Sequence, residues 1–121
     1  MNPVNWFEIA TSDLERAKKF YETVFGSKYE FMEMPEMKMY MFNGKPENPG
    51  TVGALVSGQQ LKPSTDGSTV YFSCNDVANE LIRVLESGGQ IIVPKTSIGE
   101  HGFIAQIVDT EGNRIGLHSV K

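Results

Sequence analysis

Near the N-terminus the stretch "VNWFEIA" has the apolar, β-favouring make-up of a strand, and inside it an indole and a carboxylate stand two residues apart, Trp6 and Glu8. Strand side chains alternate, so the two share a face. A carboxylate on an inward face is costly to bury alone. Glu8 therefore meets a donor or a cation, keeps water, or titrates upward into the range of a general base. The indole beside it suits a flat or apolar ligand, and suits core packing equally well. His118, near the C-terminal end, is a second acid–base candidate. His101 and Glu100 lie between Gly99 and Gly102 in "PKTSIGEHGF", which reads as a mobile flap, and His101 with His118 and Glu8 is one conceivable metal set. The single Cys74 stands in an apolar run and has no second cysteine to pair with; it reads as a small buried residue rather than a nucleophile. Met32, Met34, Met37, Met39 and Met41 crowd "FMEMPEMKMYMF". Thioethers bind Cu(I), but alternation spreads these over two strands, and a compliant apolar wall is the better reading.

Elements that could hold such groups in place recur along the chain. After the first strand, Ser12 and Glu15 have the spacing of a capping box, Leu14, Ala17, Tyr21 and Val24 repeat at helical spacing, and Gly26 stands where a C-cap glycine belongs. The order returns in "TVYFSC", with Asn75 as cap, Val77, Leu81, Val84 and Leu85 on one helical face, and Gly88-Gly89 as the stop. An offset of 63 residues superimposes the halves without a gap: Asp13 falls on Asp76, Gly26 on Gly89, and Val52-Gly53 on Ile115-Gly116. Three strand-like stretches follow each helix. "DTEGN" reads as a tight hairpin turn, "NGKPENPG" fills the matching place in the first half, and the turn-rich "QQLKPSTDGS" links the halves. The fold class is thus α+β: two tandem βαβββ modules, about 4–57 and 68–120, joined by a linker at 58–67 in a single domain of 121 residues.

Composition narrows the partners. Hydrophobic residues make up 40% and charged residues 21%, as in an ordinary globular protein, and the net charge of −4 argues against a nucleic-acid or membrane-surface partner. No apolar run is long enough to span a bilayer and no signal-like segment opens the chain, so a cytoplasmic protein is expected.

The paired modules, with the "DLERAKKFYETVFG" helix in the first and "EGNRIGL" near the end of the second, resemble the vicinal oxygen chelate superfamily of glyoxalase I, bleomycin-resistance proteins and extradiol dioxygenases. The likeness runs from about Val4 to His118. It implies that each module's strands curl into half a cup with its helix packed outside, and that two halves enclose a pocket for metal and substrate, within one chain or across a dimer. Metal enzymes of the superfamily carry a His on the first strand of each module and a Glu on the last. The matching positions are Trp6, Thr69, Gly53 and Gly116, none of them a normal donor for a divalent catalytic metal.

The resemblance therefore implies no cofactor, and a metal-free small-molecule binder: Trp6, Glu8, Leu55, Thr69, Tyr71 and His118 line the pocket, and the two glycines leave room where ligand glutamates would stand. Glu8 and His118 are the candidate catalytic pair if turnover occurs, with Tyr71 able to steady an oxyanion. A structural hydrogen bond from Glu8 to Tyr71 or His118 is the bland alternative. A metal-dependent lyase, isomerase or dioxygenase of the glyoxalase type is the competing function, and a protein-interaction module with a filled cup is a third. A small organic ligand and a homodimer are the implied partners.

Overall fold

The computed structural model describes residues 2–45 and 47–121. The first module runs β1 (Trp6–Ala10), α1 (Leu14–Phe25), β2 (Tyr29–Met34), β3 (Met37–Phe42) and β4 (Val52–Gly58). The second repeats the order as β5 (Val70–Ser73), α2 (Val77–Glu86), β6 (Gln90–Ser97), β7 (Phe103–Val108) and β8 (Arg114–Ser119). Each module makes its own four-stranded mixed sheet, β1-β4-β3-β2 and β5-β8-β7-β6, with its first strand parallel to its last. No ladder among the described residues joins the two sheets, and the architecture is the expected α+β pair of βαβββ modules, each with its own open sheet.

Both helices begin one residue later than the caps read from the sequence. Asp13, not Ser12, is the N-cap of α1 and accepts from the Arg16 amide; Asp76, not Asn75, caps α2 and accepts from Ala78. α1 ends on Gly26 at φ 67°, whose N–H donates to the Glu22 carbonyl, a left-handed conformation glycine takes without a Cβ clash. One face of each helix is apolar, and it determines which face of each sheet is covered. Ala17, Phe20, Tyr21 and Val24 of α1 and Val77, Leu81 and Val84 of α2 share a single core with Ile9 and Leu55 of the first sheet and Ala105, Ile107, Ile115 and Leu117 of the second. Phe7, Phe42 and Phe72 close it with ring contacts of 5.6–6.0 Å.

A buried polar network spans the modules. Asp109 accepts from the Tyr21 hydroxyl at 2.7 Å, from the amides of Glu111 and Asn113, and from the Asn113 side chain, which also donates to the Ala10 carbonyl. Glu111 accepts from the amides of Ser12 and Asp13 and from the Arg16 guanidinium at 2.7 Å. The "DTEGN" turn of the second module thus caps the first helix of the other module. Burial pushes the Glu111 carboxyl upward, but Arg16 and those amides outweigh it and hold the group below its ordinary value. Burial and the Asp109 carboxylate push the Tyr21 phenol well up, so it stays a neutral donor.

Candidate functional site

Strand register assigns every candidate residue to a face. In the first sheet Phe7 opposes Gly53, Glu8 opposes Ala54 and Ile9 opposes Leu55. Phe7, Ile9 and Leu55 belong to the helix-covered core, so Trp6 and Glu8 lie on the open face. In the second sheet Tyr71 opposes Gly116 and Ser73 opposes His118, while Phe72 and Leu117 are core; Tyr71 and His118 lie on that sheet's open face. Thr69 immediately precedes β5 and is half-buried.

Leu55 does not belong with them. It is 0% exposed among the helix-facing residues. The 63-residue equivalence that pairs it with His118 fails by one step in the last strand: Glu8 opposes Ala54, whereas its repeat mate Tyr71 opposes Gly116. A one-residue slip turns every side chain to the other face, so Val56, not Leu55, shares the open face with Glu8.

Nor do the glycines leave room. A side chain at Gly53 would run into the Phe7 ring and carbonyl, and one at Gly116 would meet the Tyr71 ring at about 2.5 Å. Each glycine is roofed by an aromatic from the neighbouring first strand, on the core side in one sheet and the open side in the other.

On the open faces the polar contacts are local. The Trp6 indole N–H donates to the Glu8 carboxylate at 3.2 Å, so Glu8 is held from its own strand rather than by Tyr71 or His118. Gln106 donates its amide to the Tyr71 hydroxyl at 2.8 Å. The His118 Nε2 lies 2.7 Å from the His101 carbonyl; a carbonyl can only accept, so Nε2 carries the hydrogen and Nδ1 of the neutral ring keeps its lone pair. His101 itself points to solvent, and "PKTSIGEHGF" is half strand: β6 continues to Ser97, Ile98 donates to the Gly102 carbonyl across a short 3₁₀ turn at Gly99–His101, and β7 begins at Phe103. The expected flap is therefore a tight hairpin end. It brings a backbone oxygen, not an imidazole, to His118.

Cys74 faces the core side. Burial, then the nearby Glu80 carboxylate, pushes its thiol up to about 12, which removes it as a nucleophile near neutrality. Among the described residues no three His, Cys, Asp or Glu side chains converge as a metal-holding group. At the positions where the superfamily places its metal ligands stand an indole, a threonine and two glycines, and the glycine positions are filled by Phe7 and Tyr71; this donor set does not fit a divalent ion.

Sequence reasoning missed the site's two hydrogen-bonding partners, Gln106 and the His101 carbonyl. Neither leaves a motif, because each is brought in by cross-strand register. Two surface depressions, of about 480 Å³ around Val4, Asn43 and Thr51 and about 1110 Å³ around Met34, Met37 and Leu61, flank the first sheet, and neither includes Trp6, Glu8, Tyr71 or His118.

A family model described as bleomycin resistance protein-like N-terminal matches residues 4–45. A putative glyoxylase of Mycobacterium bovis is 30% identical over 117 residues, covering 93% of this chain and 44% of that protein. A glyoxylase-like domain-containing protein of Didymella fabae is 29% identical over 114 residues, covering 91% of this chain and 88% of that one. Among solved structures, a mutant of glyoxalase I from Zea mays matches with TM-score 0.75 at 25% identity, over 98% of this chain and 47% of its own. Over nearly its whole length the chain is thus similar to glyoxalase-type proteins, and it has the paired βαβββ fold of the vicinal oxygen chelate superfamily. It spans less than half the length of the mycobacterial and maize proteins. No helix among the described residues is long and apolar enough to cross a membrane.

Proposed function

We propose that this glyoxalase-like protein binds a small, flat or amphipathic organic molecule without the divalent metal of the superfamily's enzymes, working as a homodimer. The observation that carries the reading is a pair of tethered, solvent-facing aromatics: Trp6 is 39% exposed and fixed by Glu8, and Tyr71 is 45% exposed and fixed by Gln106. Large exposed rings held in one orientation on open sheet faces are the features of a surface awaiting an apolar partner. His118, with Nε2 committed to the His101 carbonyl, offers Nδ1 as an acceptor beside Tyr71. Because the candidate groups lie on open faces and outside the two depressions, a second copy supplies the missing wall in this reading.

Of the similar proteins one is named a putative glyoxylase and another a glyoxylase-like domain-containing protein, but a glyoxalase-type metal would need donors that Trp6, Thr69, Gly53 and Gly116 do not supply. Binding therefore stands ahead of turnover. A thermal-shift screen of aromatic and amphipathic small molecules tests it, followed by titration read through the emission of Trp6, the chain's one tryptophan. Hits that raise the melting temperature and bind at least about tenfold more weakly to Trp6→Ala, with unchanged apo stability, are expected. Hits indifferent to Trp6 and Tyr71, or a stoichiometric divalent metal surviving desalting, overturn the reading. A monomer in sedimentation at all concentrations overturns its dimeric part.

A further inference from the structure

The five clustered methionines, spread over two strands by the sequence, are returned to one face by the pairing of β2 with β3. Met32 opposes Met39 and Met34 opposes Met37; Met39 opposes Val56 and Met41 opposes Ala54, the residue that opposes Glu8. Alternation then places all five thioethers on the open face of the first sheet. Met39 is the centre, 3% exposed, with Met37, Met41 and Leu61 packed around it, while Met32 and Met34 are 41% and 38% exposed.

We infer that the two consecutive opposed pairs, Met32–Met39 and Met34–Met37, form a thioether site for a soft monovalent metal ion, Cu(I). Opposed residues in an antiparallel pair have Cα atoms about 4.5–5.5 Å apart, and successive same-face residues follow about 6.6–6.8 Å along the strand. Three rotatable bonds let four methionine sulfurs at those spacings turn toward one point, and thioether sulfur selects Cu(I) over the hard divalent ions. Two further observations agree. The groove of about 1110 Å³ lined by Met34, Met37 and Leu61 opens one side of the quartet to solvent. On the other side the next row of the same face carries Glu30 opposite Met41, and Glu8 beyond Ala54, so the surrounding charge favours a cation while two carboxylates without His or Cys do not compete as a divalent site. The site shares no residue with the metal positions of the superfamily. It stands independently of the organic ligand proposed above.

The test is anaerobic titration of the full chain with Cu(I) against a chromophoric Cu(I) chelator. About one ion per chain held in competition is expected, weakened at least about tenfold in Met37→Leu/Met39→Leu and in Met32→Leu/Met34→Leu. The second pair is exposed, so it reports on binding even if the first perturbs packing. Cys74→Ser, which removes the other soft donor, is expected to leave retention unchanged. Absence of competitive retention, retention indifferent to both leucine pairs, or its loss in Cys74→Ser each overturns the assignment.

Discussion

The two modules are built to one plan and finished differently. Between its last two strands the second places "DTEGN", whose carboxylates reach across to Tyr21, Arg16 and the start of α1; at the matching place the first carries a longer loop, in which Asn48 is the repeat mate of Glu111 and its backbone N–H donates locally to the Lys45 carbonyl. The open face of the first sheet is soft and acidic, with five thioethers, an indole and two glutamates. That of the second is a hydrogen-bonding surface of Tyr71, Gln106 and His118. Duplication thus leaves one half to fasten the domain and both halves to present different chemistry.

The fastening role predicts the largest effects. Asp109→Ala strands the buried Tyr21 hydroxyl and two backbone amides and removes one of the Asn113 side-chain bonds, and is expected to cost about 3–5 kcal/mol in denaturant unfolding, whereas Asn48→Ala stays within about 0.5 kcal/mol. Equal costs at the two sites would break the asymmetry. Next come the roofed glycines. At Gly53 an added methyl meets the Phe7 backbone and a ring wedged in the core, so Gly53→Ala is expected to cost about 2–3 kcal/mol; at Gly116 its nearest neighbours are atoms of the half-exposed Tyr71 ring, which can swing into solvent, and Gly116→Ala is expected to cost under about 1 kcal/mol. A reversed order would show that the faces have been misassigned.

Glu111 sharpens the contrast through pH. Its carboxyl is held below the unfolded value of about 4.3, so it contributes stability that is complete above that pH and lost as pH falls through the folded-state value. Glu111→Gln is expected to cost about 1–2 kcal/mol at neutral pH, and the difference from the parent should shrink on acidification, because only the parent loses a charge-dependent cap. Arg16 is half exposed, so most of the effect belongs to the Ser12 and Asp13 amides rather than to the ion pair. A constant difference from pH 7 to pH 3 would contradict that account.

Much of the plan was legible because it is written in local patterns. Helical spacing of Leu14, Ala17, Tyr21 and Val24, the stop at Gly26 and the 63-residue repeat place strands and helices near where they occur. Alternation was enough to put Trp6 beside Glu8. What fails is whatever depends on pairing between distant strands. A gapless repeat mispositions Leu55 by one residue, because Phe7 stands opposite Gly53 in the first sheet whereas Tyr71, the mate of Glu8, stands opposite Gly116 in the second, a difference that the count along the chain does not carry. Capping fails similarly: Ser12 has capping-box spacing, yet its amide and that of Asp13 are taken by Glu111, 99 and 98 residues away. The methionines reverse the lesson, since alternation correctly separated them and antiparallel pairing brought them back.

The smallest expected effect concerns the tethers of the two open faces. Trp6 and Tyr71 are each held by one exposed hydrogen bond, and such bonds add little to folding because water replaces them readily. Glu8→Gln and Tyr71→Phe should therefore each change stability by less than about 0.5 kcal/mol. Glu8→Gln keeps an acceptor oxygen but loses its charge, so the indole bond weakens without vanishing, and Trp6 should show faster local motion in time-resolved anisotropy while the melting temperature stays put. Tyr71→Phe should leave that anisotropy untouched, since the two aromatics are tethered within separate sheets. A Trp6 response to Tyr71→Phe would mean that the open faces communicate directly, and the division of chemistry between the modules would have to be redrawn around a shared surface.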